Sequence, residues 1–172
     1  QLELESDRLY KSFEEMAQAE AKRDDGIDFV SIVTPNKVHF SAAKAFLEAG
    51  IHVVCDKPMT YSLQEAEELV KLVEKSGLVF ALTHNYTGDP MVREARQRFA
   101  NGEMGTVRKA IVEYVQEVLA QPLEKEGNKQ IMWRVDPAQS GVAGALGDIG
   151  SHSVNLLEFV TGDEVVELCA DT

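Results

Sequence analysis

Cysteine is nearly absent from this chain: Cys55 and Cys169 stand 114 positions apart, with no Cys-x-x-Cys pair and no Cys/His cluster at metal-ligand spacing. That scarcity excludes a disulfide framework, suggests no metal site, and fits a reducing cytoplasm. Long apolar runs are missing too, so no stretch approaches the roughly 20 residues of a membrane span, and the acidic start (Glu3, Glu5, Asp7) is unlike a signal or transit peptide. Positive charge is short, with 17 Lys and Arg against 29 Asp and Glu and a formal net charge of -12, which disfavours nucleic acid and acidic membranes as partners. What is present is 172 residues of 44% hydrophobic content, enough for one good core or two small, incomplete domains.

Tyr10, Phe13, Met16, Ala17, Glu20 and Ala21 recur at helical period and predict a first helix. Phe29-Val30-Ser31-Ile32-Val33 reads as a buried strand ending at Thr34-Pro35-Asn36. From His39, the positions Phe40, Ala43, Phe46 and Leu47 predict a second helix closed near Gly50, and His52 to Cys55 a second strand. Ser62-Leu63-Gln64-Glu65 is a capping box for a third helix that Gly77 closes, and Leu78 to Leu82 supply a third strand. This alternation predicts βαβ units, hence an α/β fold with part of a doubly wound parallel sheet covered on both faces.

Asp89-Pro90 then predicts an N-cap and a proline in the first turn of a helix carrying Met91, Ala95 and Phe99. Val107 to Val118 interleaves charged and apolar residues, the pattern of a long strand in an open, partly solvated sheet. Ala120 to Gly147 has little periodicity and reads as a long loop. Ser151 to Val160 is a helix closed by Gly162, and Val165 to Ala170 a final strand.

Two places carry chemistry. The second strand stops at Cys55-Asp56-Lys57-Pro58, which puts a cation at the strand end where open α/β sheets bind ligands; a Lys-Pro in that position is also an ordinary solvated turn. Gly147-Asp148-Ile149-Gly150-Ser151-His152 enters the last long helix, and the spacing of four places Asp148 and His152 one turn apart, with Asp148 at or just before the helix N-terminus. A carboxylate can orient an imidazole and an imidazole can move a proton near neutral pH. The same pair can equally be a helix cap and a packed ring.

Four motifs, in order, resemble the family of glucose-fructose oxidoreductase and inositol dehydrogenase, written Gfo/Idh/MocA: Ile32-Val33-Thr34-Pro35-Asn36 with His39; Ala49-Gly50-Ile51-His52-Val53-Val54-Cys55-Asp56-Lys57-Pro58; Thr83-His84-Asn85-Tyr86; and Trp133-Arg134 followed by Gly147-Asp148-Ile149-Gly150-Ser151-His152. The resemblance covers nearly the whole chain. It implies an oxidoreductase dependent on NAD or NADP, with residues 1–88 a partial dinucleotide-binding Rossmann domain and residues 89–172 a partial substrate domain built on an open, largely antiparallel sheet. It also implies a sugar- or polyol-like substrate and a homo-oligomer formed through the second sheet. Carried onto this sequence, the catalytic positions fall on Lys57, Asp148 and His152, and the cofactor-lining positions on Thr34, Pro35, Asn36, His39, Asp56, Lys57 and Pro58. Asn85, Tyr86, Trp133 and Arg134 are substrate-side candidates, and His84 fits either packing or contact.

The expected roles are His152 as the base, Lys57 as the stabiliser of a developing alkoxide, and Asp148 as an orienting group. Asp56 stands where the family more often has Glu. No Gly-x-Gly-x-x-Gly is present, so a first βαβ unit is expected to be missing upstream, the second sheet is expected to be cut short, and this stretch alone is expected to bind cofactor weakly. A non-catalytic dinucleotide or sugar sensor on the same fold, and an oligomerisation module, are the rival readings.

Overall fold

The computed structural model describes residues 6–117, 120–141 and 143–171. Its centre is a parallel sheet of β1 (Phe29–Ile32), β2 (His52–Asp56) and β3 (Phe80–Thr83), in spatial order β1-β2-β3. Helix α1 (Phe13–Glu20) leads into β1, α2 (Asn36–Glu48) joins β1 to β2, and α3 (Leu63–Ser76) joins β2 to β3. The predicted βαβ alternation is therefore the observed one.

The register pairs Val30 with Val53 and Ile32 with Cys55, so these four side chains share one face. Against that face lie Ala42, Ala43, Phe46 and Leu47 of α2, with Ala17 of α1 and Leu69 of α3 in the same cluster. Ala42 and Ala43 let the α2 backbone come close to the strands, and burial of Phe46 alone stabilises by roughly 1.5–3 kcal/mol. The expectation of cover on both faces is not met among the described residues: Phe29 and Val33 are exposed. Strands in the order 1-2-3, joined by crossovers of one hand, leave all their helices on the same side.

Helix ends follow the local sequence. Ser62 and Glu65 form the reciprocal capping box of α3, and Gly77 closes it with φ 68. Asp89 accepts from the Met91 amide and Pro90 opens α4 (Pro90–Ala100). Helix α2 starts at Asn36, three residues earlier than the apolar repeat indicated, behind Pro35 and without a side-chain cap. At the end of α1, Arg8 and the Tyr10 hydroxyl both donate to the buried Glu20 carboxylate.

The second half differs more from expectation. Residues 107–117 and 165–170 form no strand among the described residues, and Val115 and Val166 are more than nine-tenths exposed. Alternation supplies only the faces of a strand; the ladder needs a neighbour, and neither segment has one among the described residues. Val118, the end of that expected strand, lies outside the described residues. The loop expected over 120–147 holds short helical turns instead: a 3₁₀ turn at Leu123–Glu126, α5 (Lys129–Met132), α6 (Pro137–Ser140) and the start of a π-helical turn, Leu146–Gly150. That turn runs into α7 (Ser151–Thr161), which Gly162 closes with φ 77 and which packs on α4, where Arg96 lies over the Phe159 ring and donates to its carbonyl. Among the described residues no helix is long and apolar enough to cross a membrane.

Candidate active site

The carboxyl ends of β1, β2 and β3 open onto one crevice of about 540 Å³. Val33, Thr34, Pro35 and Asn36 form the wall after β1, Asp56 and Lys57 the wall after β2, and Thr83 and Asn85 the wall after β3. Trp133, Arg134 and Asp148 close it from the second half of the chain. A crevice at this end of a parallel sheet is where such folds hold ligands.

Lys57 is its centre. The Nζ donates to the Asp148 carbonyl at 2.5 Å and to Asp148 Oδ1 at 2.6 Å, joining positions 91 apart. An ammonium has three N–H groups, so this arrangement leaves one for another acceptor. Asp56 accepts from the Thr83 hydroxyl at 2.7 Å. The guanidinium of Arg134 stacks on the Trp133 ring, 4.6 Å to the centroid, and its Nε lies 3.9 Å from the other Asp148 oxygen.

Asp148 is not a helix cap. It sits inside the π turn, whose backbone bonding differs from that of an α-helix, and its carboxylate faces Lys57 and Arg134 rather than His152. His152 is buried and off the crevice lining. The His84 ring stands edge-on to it, centroids 5.9 Å apart, and Tyr86 does the same at 4.8 Å. The Tyr86 hydroxyl meets the Tyr114 hydroxyl at 2.7 Å, which holds the Tyr114 phenol above its ordinary pKa.

Burial, then the Lys57 charge, then His84 hold the His152 imidazole below its ordinary pKa, with Asp148 opposing. His84 is lowered by burial and by Lys57. Both rings are therefore biased toward the neutral form.

Two expected cofactor-lining residues do other work. His39 is buried under the crevice floor, its ring nitrogens 2.8 Å from the Thr34 and Pro58 carbonyls, where it ties the loop after β1 to the turn after β2. Pro58 contributes that carbonyl, follows a cis peptide, and is off the lining. Asn36 is on the lining, but its amide donates to the Ser140 carbonyl, 104 positions on. Nearby the Tyr61 hydroxyl donates to the Pro137 carbonyl, so α6 is pinned over the start of α2. Tyr61, Ser140 and Tyr114 carried no local signal of these contacts; Thr83 and His84 sat inside a motif already singled out.

Residues 2–99 match the oxidoreductase family with an NAD-binding Rossmann fold, and residues 92–172 match the GFO/IDH/MocA C-terminal domain. The chain belongs to the GFO/IDH/MocA oxidoreductase family. Among its GFO/IDH/MocA relatives, the uncharacterized oxidoreductase YfiI of Bacillus subtilis is 35% identical over 159 residues, which is 92% of this chain and 40% of that protein. Levoglucosan dehydrogenase of Pseudarthrobacter phenanthrenivorans is 31% identical over 140 residues, 81% of this chain and 34% of that protein. The inositol dehydrogenase homolog of Azotobacter vinelandii, solved with NAD+, superposes with a TM-score of 0.87 at 37% identity, covering 91% of this chain and 40% of that one. The chain thus spans about two fifths of the length of the relatives it matches most fully.

Proposed function

We propose that the protein to which this chain belongs transfers a hydride between NAD or NADP and a hydroxyl or keto carbon of a sugar- or polyol-like substrate. The observation that carries this reading is the Lys57–Asp148 pair on the crevice at the strand ends, with the buried His152 imidazole held below its ordinary pKa by burial and by the Lys57 charge. The relatives named for levoglucosan and inositol support the substrate class.

A nicotinamide bound in the crevice supplies the hydride acceptor or donor. The crevice fits such a group by its place at the strand ends, with Thr34, Pro35 and Asn36 on one side and Asp56 and Lys57 on the other. Lys57 directs its remaining N–H at the substrate oxygen and stabilises negative charge as the hydroxyl proton leaves. Asp148 fixes the ammonium so that this N–H stays aimed. His152, held neutral, takes the proton. Asn85, Trp133 and Arg134 contact the substrate from the crevice wall, and Tyr86 acts on the same side by packing His152 in place. Residues 1–88 form the cofactor half and residues 89–172 the substrate half, and the homo-oligomer, in the cytoplasm, forms through an open, largely antiparallel sheet that residues 107–117 and 165–170 join only once they have partner strands.

The test is turnover of the full-length protein with a panel of sugars and polyols, with Lys57→Met and His152→Ala alongside. Unchanged turnover in both variants sinks the catalytic assignment. One observation favours a second reading, a non-catalytic sensor on the same fold: His152 is off the crevice lining. Ligand binding by the full-length protein without hydride transfer to any member of the panel would select it.

A further inference from the structure

Trp133 and Arg134 reach the crevice from the second half of the chain, yet part of what holds them there lies in the first. Upstream, Ile131 is buried and its carbonyl accepts from the Arg134 and Val135 amides, so the pair rides on a closed turn. Downstream, Asp136 caps α6, accepting from the Ala138 amide and from the Gln139 side chain. Helix α6 then seats on α2, where the Asn36 amide donates to the Ser140 carbonyl. The other seat is Tyr61.

Tyr61 stands four residues after Lys57, in the stretch between β2 and α3. Its backbone amide donates to Glu65, the carboxylate of the α3 capping box, which fixes the base of the side chain. Its hydroxyl donates to the Pro137 carbonyl at 2.9 Å, an oxygen that also accepts from the Gly141 amide. Gly141 lies against the ring: a Cβ there would stand 3.4 Å from the Tyr61 carbonyl oxygen and 3.8 Å from ring carbons, on a backbone with φ 94 that favours glycine. A phenyl ring would meet Gly141 equally well. The hydroxyl is exposed, so no buried polar group requires its bond. What the bond adds is a tie between positions 76 apart, from the stretch that carries Lys57 to the helix that follows Trp133 and Arg134.

We propose that Tyr61 is a positioning residue for the substrate side: through Pro137 it holds α6 on α2, and so sets how far Trp133 and Arg134 stand from Lys57. This rests on the reading of the crevice as the substrate site. Residues 57–61 then carry both the cation that meets the substrate oxygen and the gauge of the wall that faces it. A small displacement of groups that hold a substrate weakens its binding and its alignment. Contacts made equally before and during reaction show in KM rather than in kcat.

Trp133 is the one tryptophan of the sequence, so its fluorescence in the 172-residue chain reports this wall directly, with no ligand. Tyr61→Phe is expected to raise the acrylamide quenching constant and to shift the emission to the red. Tyr10→Phe, which removes the hydroxyl that donates to Glu20 instead, leaves both unchanged. Gly141→Ala, which keeps the Tyr61 hydroxyl but crowds its carbonyl and strains the turn, moves the fluorescence in the same direction as Tyr61→Phe. In the full-length protein, with NAD or NADP and the member of the sugar and polyol panel it turns over best, Tyr61→Phe raises the KM of that substrate about two- to tenfold, the range of one hydrogen bond, while kcat and the cofactor KM move less. The proposal is overturned by Trp133 quenching that is unmoved in Tyr61→Phe or rises as much in Tyr10→Phe. It is equally overturned by an unchanged substrate KM, by a fall in kcat alone, or by an equal rise in the cofactor KM. A full-length protein that turns over no member of the panel sinks the enzymatic reading, whereas the Trp133 fluorescence still decides whether Tyr61 anchors the wall.

Discussion

The Lys57–Asp148 contact joins the end of β2 to the π turn before α7, and the proposed chemistry depends on its existing in solution. A double-mutant cycle measures it: wild type, Lys57→Met, Asp148→Ala and the double variant, each unfolded in urea. Lys57→Met removes two hydrogen bonds, one to the carboxylate and one to the Asp148 carbonyl, whereas Asp148→Ala removes only the first. The backbone bond persists in the Asp148→Ala background, so the cycle cancels it and isolates the side-chain pair.

The side chains are 18% and 34% exposed. That places the pair between exposed ion pairs, worth about 0.2–1 kcal/mol, and fully buried ones, whose breaking costs about 3–5 kcal/mol. A charge-assisted hydrogen bond in this setting contributes about 1.5–3 kcal/mol, so the expected coupling is about 1–3 kcal/mol and more than half of it survives in about 1 M salt, because the ammonium is mostly enclosed. A coupling under about 0.3 kcal/mol, the usual error of additivity, would refute the reasoning and leave the crevice without a fixed cation.

Four further outcomes are expected. A Cβ on Gly26 would come within 2.2 Å of the Glu20 carbonyl oxygen, so Gly26→Ala loses about 1–3 kcal/mol in thermal or urea unfolding by the scale of overpacking; a neutral substitution would show that this turn shifts freely. Glu20 is held below the usual carboxylate range, first by the Tyr10 hydroxyl and then by Arg8, against the opposing effect of burial. A depressed folded value adds stability above the unfolded value of about 4.3 and loses it as pH falls through the folded value, so Glu20→Gln should have a flatter Tm profile on the acid side, and equal slopes would contradict the latch. Burial and then Asp56 push the Cys55 thiol up to about 12 while Cys169 is exposed, so a thiol reagent near pH 8 labels Cys169 in the native chain and Cys55 only after denaturation; rapid native labelling of Cys55 would disprove its burial. Residues 1–172 hold no Gly-x-Gly-x-x-Gly, so calorimetric titration of this stretch with NAD or NADP should give a Kd weaker than micromolar, and tight binding would mean that Thr34, Pro35 and Lys57 hold the dinucleotide by themselves.

The parts that were legible in the sequence are those fixed by local chemistry. Ser62 and Glu65 cap α3, Asp89-Pro90 opens α4 and Gly162 closes α7, because each needs only residues within one turn. Lys57 and Asp148 were named as a site from motif order, and they meet. Their partners were harder to name. His39 looked like a crevice residue because it follows Thr34-Pro35-Asn36, but three residues into a helix its side chain points under the loop rather than out of it. Asn36 and Tyr61 reach carbonyls of Ser140 and Pro137, and backbone acceptors carry no side-chain signature. Residues 107–117 had the alternation of a strand, yet pairing is a property of two segments and cannot be read from one.

The π turn before α7 can be regarded as a phase setting. Each residue of an α-helix advances the side-chain direction by about 100°, and a π turn behaves as a helix carrying one residue more than its pitch accommodates. Around this turn the two side chains part, Asp148 toward Lys57 and His152 against His84 and Tyr86. Deleting one residue from Leu146–Gly150 outside Asp148 is expected to restore a more uniform pitch and swing the upstream side chains by about that angle, carrying the carboxylate off the lysine while every residue type proposed for catalysis remained in the chain. Within this turn, length, as well as the identity of Asp148, bears on the site.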